Sequence, residues 1–115
     1  LGTGILFIPG LRRYGVNVVD DGDQQAVLSN LVGRRLQERL NIRVRAQLVL
    51  QDDEPHVLVS INSQQVGHLS RANGQALHRI VRYGERSPHE TFECAALIQG
   101  TVGQYGVRLD LPFED

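Results

Sequence analysis

The sequence has no lysine, a single cysteine, almost no net charge and no long apolar run, and each shortage excludes something. All 12 basic residues are arginine, set against 13 Asp and Glu for a formal charge of −1. Such a chain has no global field to draw it to nucleic acid. Arginine's planar fork of donors nonetheless suits phosphate or carboxylate better than an ammonium does, although GC-rich coding bias produces the same usage. One cysteine, Cys94, excludes an internal disulfide and any all-cysteine metal site. It lies in the apolar run Phe92 to Ile98, where a free cysteine behaves as a small buried hydrophobe. A lone thiol fits a reducing compartment, so a cytoplasmic location is expected. The apolar stretch near the start, Ile5 to Ile8, is far short of the roughly 20 residues that span a bilayer. No charged region precedes it, so it does not read as a signal peptide, and no membrane attachment is expected of this stretch of chain. Beginning at Leu1 rather than Met, the sequence reads as a piece of something longer.

With 115 residues there is material for one hydrophobic core. A 41% hydrophobic and 22% charged composition is that of a folded domain rather than a disordered chain. Ile5 to Ile8 predicts a short strand stopped by Pro9-Gly10, and Val16 to Val19 a second. From Asp23 the pattern changes to three- and four-residue steps, with Val27, Leu28, Leu31, Val32, Leu36 and Leu40 forming a stripe, which predicts a helix over 23–40.

The period then falls to two. Ile42, Val44, Ala46, Leu48 and Leu50 alternate with more polar neighbours, the pattern of a strand with one buried face. Asp52-Asp53-Glu54-Pro55 reads as a turn, Val57, Val59 and Ile61 as the returning strand, and Asn62-Ser63 as a further turn before Gln65 to Leu69. These make an antiparallel meander. Ser70 is placed to cap a second helix carrying Ala72, Ala76, Leu77, Ile80 and Val81 inward, with Gly84 as its left-handed end. Thr91 to Ile98 and Val107 to Leu111 complete the chain as two strands joined across Gly100, Gly103 and Gly106. Strands this short are made safe by curling into a small barrel or by helix cover. The expected class is therefore α+β, mainly β, with two helices.

Catalytic and metal chemistry find no anchor. His56, His68, His78 and His89 lack paired ligand spacing and cysteine companions, so no metal or other cofactor is expected. His78, beside Arg79 on the second helix, reads as partly exposed. The glycines from Gly100 to Gly106 do not open a helix and lack the Lys-Ser/Thr pair of a phosphate loop. The acids at 52–54 sit on a solvated turn, and there is no serine elbow, so the chain is not expected to be an enzyme. Two basic clusters remain. Arg12-Arg13-Tyr14 places guanidinium groups beside a ring, a combination able to hold phosphate and stack a base. Arg34, Arg35 and Arg39 lie on a helix flank beside Glu38, where exposed charges ordinarily solvate.

The segment Gln65-Val66-Gly67-His68-Leu69-Ser70-Arg71, followed by Ala76-Leu77, resembles the signature end of the HIRAN domain family. Gly106-Val107-Arg108-Leu109-Asp110-Leu111 and Val18-Val19 with Gln24-Gln25-Ala26-Val27-Leu28 are similar to bacterial members. The likeness divides the chain into an extension over 1–15 and a HIRAN-like domain over 16–115. It implies a modified oligonucleotide-binding barrel of about six strands with two helices, serving as a binding module alone or as an accessory domain of a larger protein. The function implied is recognition of single-stranded DNA or DNA ends. On the matching positions, His68 and Arg71 would contact the DNA backbone, and Asp53 stands where the family's turn has its Asp. Asp52 and Leu50 fall where the family has a stacking Tyr and an Asn, and Asp23 and Gln24 where it has an early aromatic pair. In an alternative register Gly10-Leu11-Arg12-Arg13-Tyr14 takes the early motif's place and Tyr14 restores one ring. The missing platform leaves a second expectation open, a protein-interaction module that has kept the fold and lost the DNA contacts.

Overall fold

The computed structural model describes residues 5–19, 24–32, 40–51, 56–83, 91–101 and 104–114. Its elements follow the order read from the sequence: β1 (Ile5–Phe7), β2 (Val16–Val19), α1 (Gln24–Val32), β3 (Leu40–Leu50), β4 (Val57–Ile61), β5 (Gln64–Leu69), α2 (Arg71–Tyr83), β6 (Thr91–Thr101) and β7 (Gln104–Asp110). Six of the strands hydrogen-bond in the order β6-β3-β4-β5-β2-β7, and β7 returns to β6. The sheet is thereby a closed antiparallel barrel, which removes the free edges that six short strands would otherwise expose.

Alternation decides what each strand buries. On β3 the inward residues Ala46, Leu48 and Leu50 are buried, with Ile42 and Val44 packed against the core; Arg43, Arg45 and Val49 face out. Val57, Val59 and Ile61 of β4, Phe92, Cys94, Ala96 and Ile98 of β6, and Val107 and Leu109 of β7 complete the filling. Cys94 is fully buried, and loss of hydration there pushes its thiol up to about 12, with Asp110 and Glu93 adding to the shift.

β1 lies outside the barrel. It runs parallel to β6 along Thr91, Phe92 and Glu93, below the point where Asp110 of β7 meets Ala95. Residues before β2 thus add a strand to the stretch of β6 that β7 leaves open. At β7's other end, where β2 no longer reaches, Gln25 of α1 acts as a substitute strand. Its side-chain amide donates to the Tyr105 carbonyl and accepts from the Tyr105 N–H, both at 2.8 Å.

Two helix expectations need correction. The first helix is described only to Val32, and Leu40 opens β3 opposite Gly100 instead of closing the helix. Leu40 continues the period of four behind it and the period of two ahead, and ladder pairing with β6 decides between them. In α2, Ser70 caps as expected, its hydroxyl accepting from the Asn73 N–H at 3.3 Å. The inward face is rotated from the expected one: Asn73, Leu77, His78 and Val81 are buried, whereas Ala72 and Ile80 are exposed. His78 is therefore not a surface residue. Its Nε2 lies 3.3 Å from the His56 carbonyl, and that acceptor makes its burial tolerable.

Candidate nucleic-acid interface

The loop between β1 and β2 is laid across the outer face of β7 by one carboxylate. Asp110 has the outward parity of its strand yet is 7% exposed, because the loop covers it. Its Oδ1 accepts from the Arg13 N–H at 3.2 Å. Gly10 sits so close above that a β-carbon there would overlap the Asp110 carboxylate and carbonyl. The glycine is required by this approach of backbone to side chain.

Beyond Gly10 the backbone is unusual. Arg12 and Tyr14 both hold left-handed conformations, with φ of 62° and 50°. Bulky residues rarely adopt that region, and such strain concentrates where surrounding structure positions side chains for use. Arg13, between them, is spent on Glu114 at 3.0 Å. Arg12 and Tyr14 instead line a cleft of about 580 Å³ together with Phe7, Pro9, Gly10, Arg43 and Asp110.

The register of the barrel explains why Arg43 belongs there. Arg43 pairs with Leu97, and Leu97 with Arg108, so the two arginines stand in one outward row across β3, β6 and β7. One step along, Arg45 pairs with Ala95 and Ala95 with Asp110. Arg45 bridges to Glu93 at 3.5 Å and places its guanidinium 5.3 Å from the centre of the Phe7 ring. Arg12, Arg43 and Arg108 have no acidic partner within ion-pair distance among the described residues. The wall thus offers guanidinium groups and two rings, Phe7 and Tyr14, with one carboxylate already engaged.

The residues singled out from the sequence separate into two places. Arg12 and Tyr14 meet in the cleft. His68 is on β5, half-buried between Leu58 of β4 and Val19 of β2, and Arg71 is exposed in the first turn of α2. Tyr14 precedes Val16 at one end of β2, whereas His68 is registered with Val19 at the other, about 10 Å of strand away. The two groups accordingly do not share one pocket. Asp53, with the turn over 52–55, lies outside the described residues, as does the cluster of Arg34, Arg35 and Arg39.

Phe7 and Arg43 were not singled out by sequence reasoning. Arg43 carried a signal, since it occupies the outward phase of β3; Phe7 carried none, because its role depends on β1 docking beside β6. Among the described residues no three His, Cys, Asp or Glu side chains gather as a metal site. No described helix is long and apolar enough to cross a membrane.

Fold and site together define a small closed β-barrel with an arginine-and-aromatic cleft on its outer wall. No protein-family model, no curated protein and no solved structure matches the chain.

Proposed function

We propose that the protein is a non-catalytic binding module that recognises single-stranded DNA, of the kind the HIRAN-like motifs imply, and that its contact surface is the cleft beneath the Arg12–Tyr14 loop. The observation that carries this reading is the convergence of Arg12 and Arg43, neither neutralised by a described acid, with the rings of Phe7 and Tyr14. Guanidinium groups hold the phosphates and exposed rings stack bases, the two components of sequence-tolerant single-strand binding. The motif-derived pair His68 and Arg71 would form a separate contact on the far side of β2.

Fluorescence anisotropy with a labelled oligothymidine at several salt concentrations tests both surfaces. Binding is expected to weaken with salt, and Arg12→Ala or Arg43→Ala to reduce the log–log slope by about 0.7 each, the value for one phosphate contact on a single strand. Tyr14→Ala should cost about 1–3 kcal/mol, the usual range for a stacked base. If Arg71→Ala weakens binding while Arg12→Ala and Tyr14→Ala do not, the contact surface is the β5–α2 junction instead. Absence of binding at low salt would overturn the nucleic-acid reading altogether.

A further inference from the structure

Next to the arginine cleft, and sharing Phe7 and Pro9 with it as a common wall, is a second cleft of about 250 Å³ between β1 and α2. Its other walls are Leu6, Ile8, Ile80 and Phe92, with Val81 behind, and among the described residues no polar side chain lines it. Phe7 and Ile80 are 48% and 37% exposed, among the most exposed large hydrophobics of the described chain. The volume is below the usual range for a cofactor or small-molecule site, about 300–1,000 Å³, and suits one or two side chains. A nucleobase would be poorly served here, because its hydrogen-bonding edge would be buried against aliphatic carbon without partners.

The surroundings select what accompanies an apolar side chain. Arg45 stands over Phe7, Arg12 and Arg43 line the adjoining cleft, and Arg79 is exposed on α2 beside Ile80. Among the described residues, the acids facing this surface are already engaged: Glu93 by Arg45 and by Gln47 at 3.3 Å, and Asp110 by the Arg13 N–H. An apolar pocket rimmed by arginines on one side is complementary to an aromatic or aliphatic side chain flanked by carboxylates.

We infer that the β1–α2 cleft is a docking site for an acidic protein segment, whose apolar anchor enters between Ile8 and Ile80 while neighbouring Asp or Glu side chains reach Arg12 and Arg43. This goes beyond nucleic-acid binding and does not depend on it. Because both ligands would use Arg12 and Arg43, a bound segment would displace a strand from the arginine cleft.

The test is a titration of isotope-labelled protein, followed by backbone amide shifts, with three synthetic peptides. One carries Phe flanked by Asp and Glu, one has that Phe replaced by Ser, and one has the acids replaced by Lys. Only the first should move the amides of Leu6, Phe7, Ile8, Ile80 and Val81. Ile80→Asp should weaken it about tenfold, as for loss of a central anchor, and Arg43→Glu several-fold. Should Ile80→Asp lose spectral dispersion, Phe7→Ser at the exposed strand position provides the same readout. The proposal is overturned if the three peptides act alike, if none moves those amides, or if the folded variants bind undiminished. It is equally overturned if the protein sediments with phosphatidylserine vesicles while the acidic peptide leaves the cleft unmoved. Peptide binding without oligothymidine binding would support the docking site and remove the nucleic-acid reading; the reverse result would do the opposite.

Discussion

Four non-glycine residues adopt left-handed backbone among the described residues, and they divide by purpose. Asn62 and Ser63, with φ of 52° and 65°, are the two central positions of the β4–β5 hairpin, closed by the Ile61–Gln64 pair. Both central positions of a type I′ turn need positive φ, and its twist matches that of the strands it joins. Asn tolerates the conformation through its short polar side chain, whereas Ser does so at a cost. Ser63→Gly should therefore raise stability by about 0.5–1 kcal/mol, seen as a higher urea midpoint with unchanged slope. An unchanged or lower midpoint would show that the Ser63 backbone is not strained. Arg12 and Tyr14 serve no hairpin. Their strain is held by the Arg13–Asp110 contact and by the close approach of Gly10, and it directs two functional groups into one cleft.

Single elements show where periodicity stops being sufficient. In β5 the ladder slips between the Val59–Gly67 and Ser60–Gln65 pairs, so that one extra residue is inserted. Val66 and Leu69 both reach the core although they are three positions apart, which strict alternation forbids. A glycine inside a strand hints at such a bulge. Here Gly67 has φ of 153°, and a β-carbon would run into the Val19 carbonyl. Gly67→Ala is expected to cost about 2–3 kcal/mol by loosening β2 from β5. Hydrogen exchange should then accelerate first at Val18, Val19 and His68; uniform acceleration would place the damage elsewhere. The bulge also turns His68 outward between Leu58 and Val19. In α2, the interior phase was only partly legible, because Asn73 and His78 are polar by type yet buried in fact. Their burial depends on partners such as the His56 carbonyl, which belongs to a residue 22 positions away.

At the scale of the whole molecule, Cys94 links folding to pH. Its thiol has an ordinary value of 9.0 and is pushed to about 12 by burial in the barrel. Between those values the unfolded chain releases a proton that the folded chain keeps. Stability contributed by this group is thus complete below pH 9.0 and declines by about 1.4 kcal/mol per pH unit as the pH rises towards 12. Chemical denaturation at a series of pH values between 9.0 and about 12 should show a steeper loss for the parent protein than for Cys94→Ala, whose lower baseline reflects only the lost packing. Equal slopes would mean that the thiol is not buried in the fold.

The sequence by itself determined the number, type and order of the elements, because periods of two and of three-to-four, with turn residues between them, are written in neighbouring positions. It also determined the one-sided faces of β3 and β4, and it marked Arg12 and Tyr14 as a pair able to hold phosphate and a base. Only the tertiary structure decided that β6 and β7 close the sheet into a barrel, since hydrogen-bond partners far apart in sequence leave no local signal. That closure, with β1 laid beside β6, brought Phe7 and Arg43 to Arg12 and Tyr14 and placed His68 at the opposite end of β2. A site assembled from a strand, a loop and the outer wall of a barrel depends on register, and register follows from the mutual packing of all the strands.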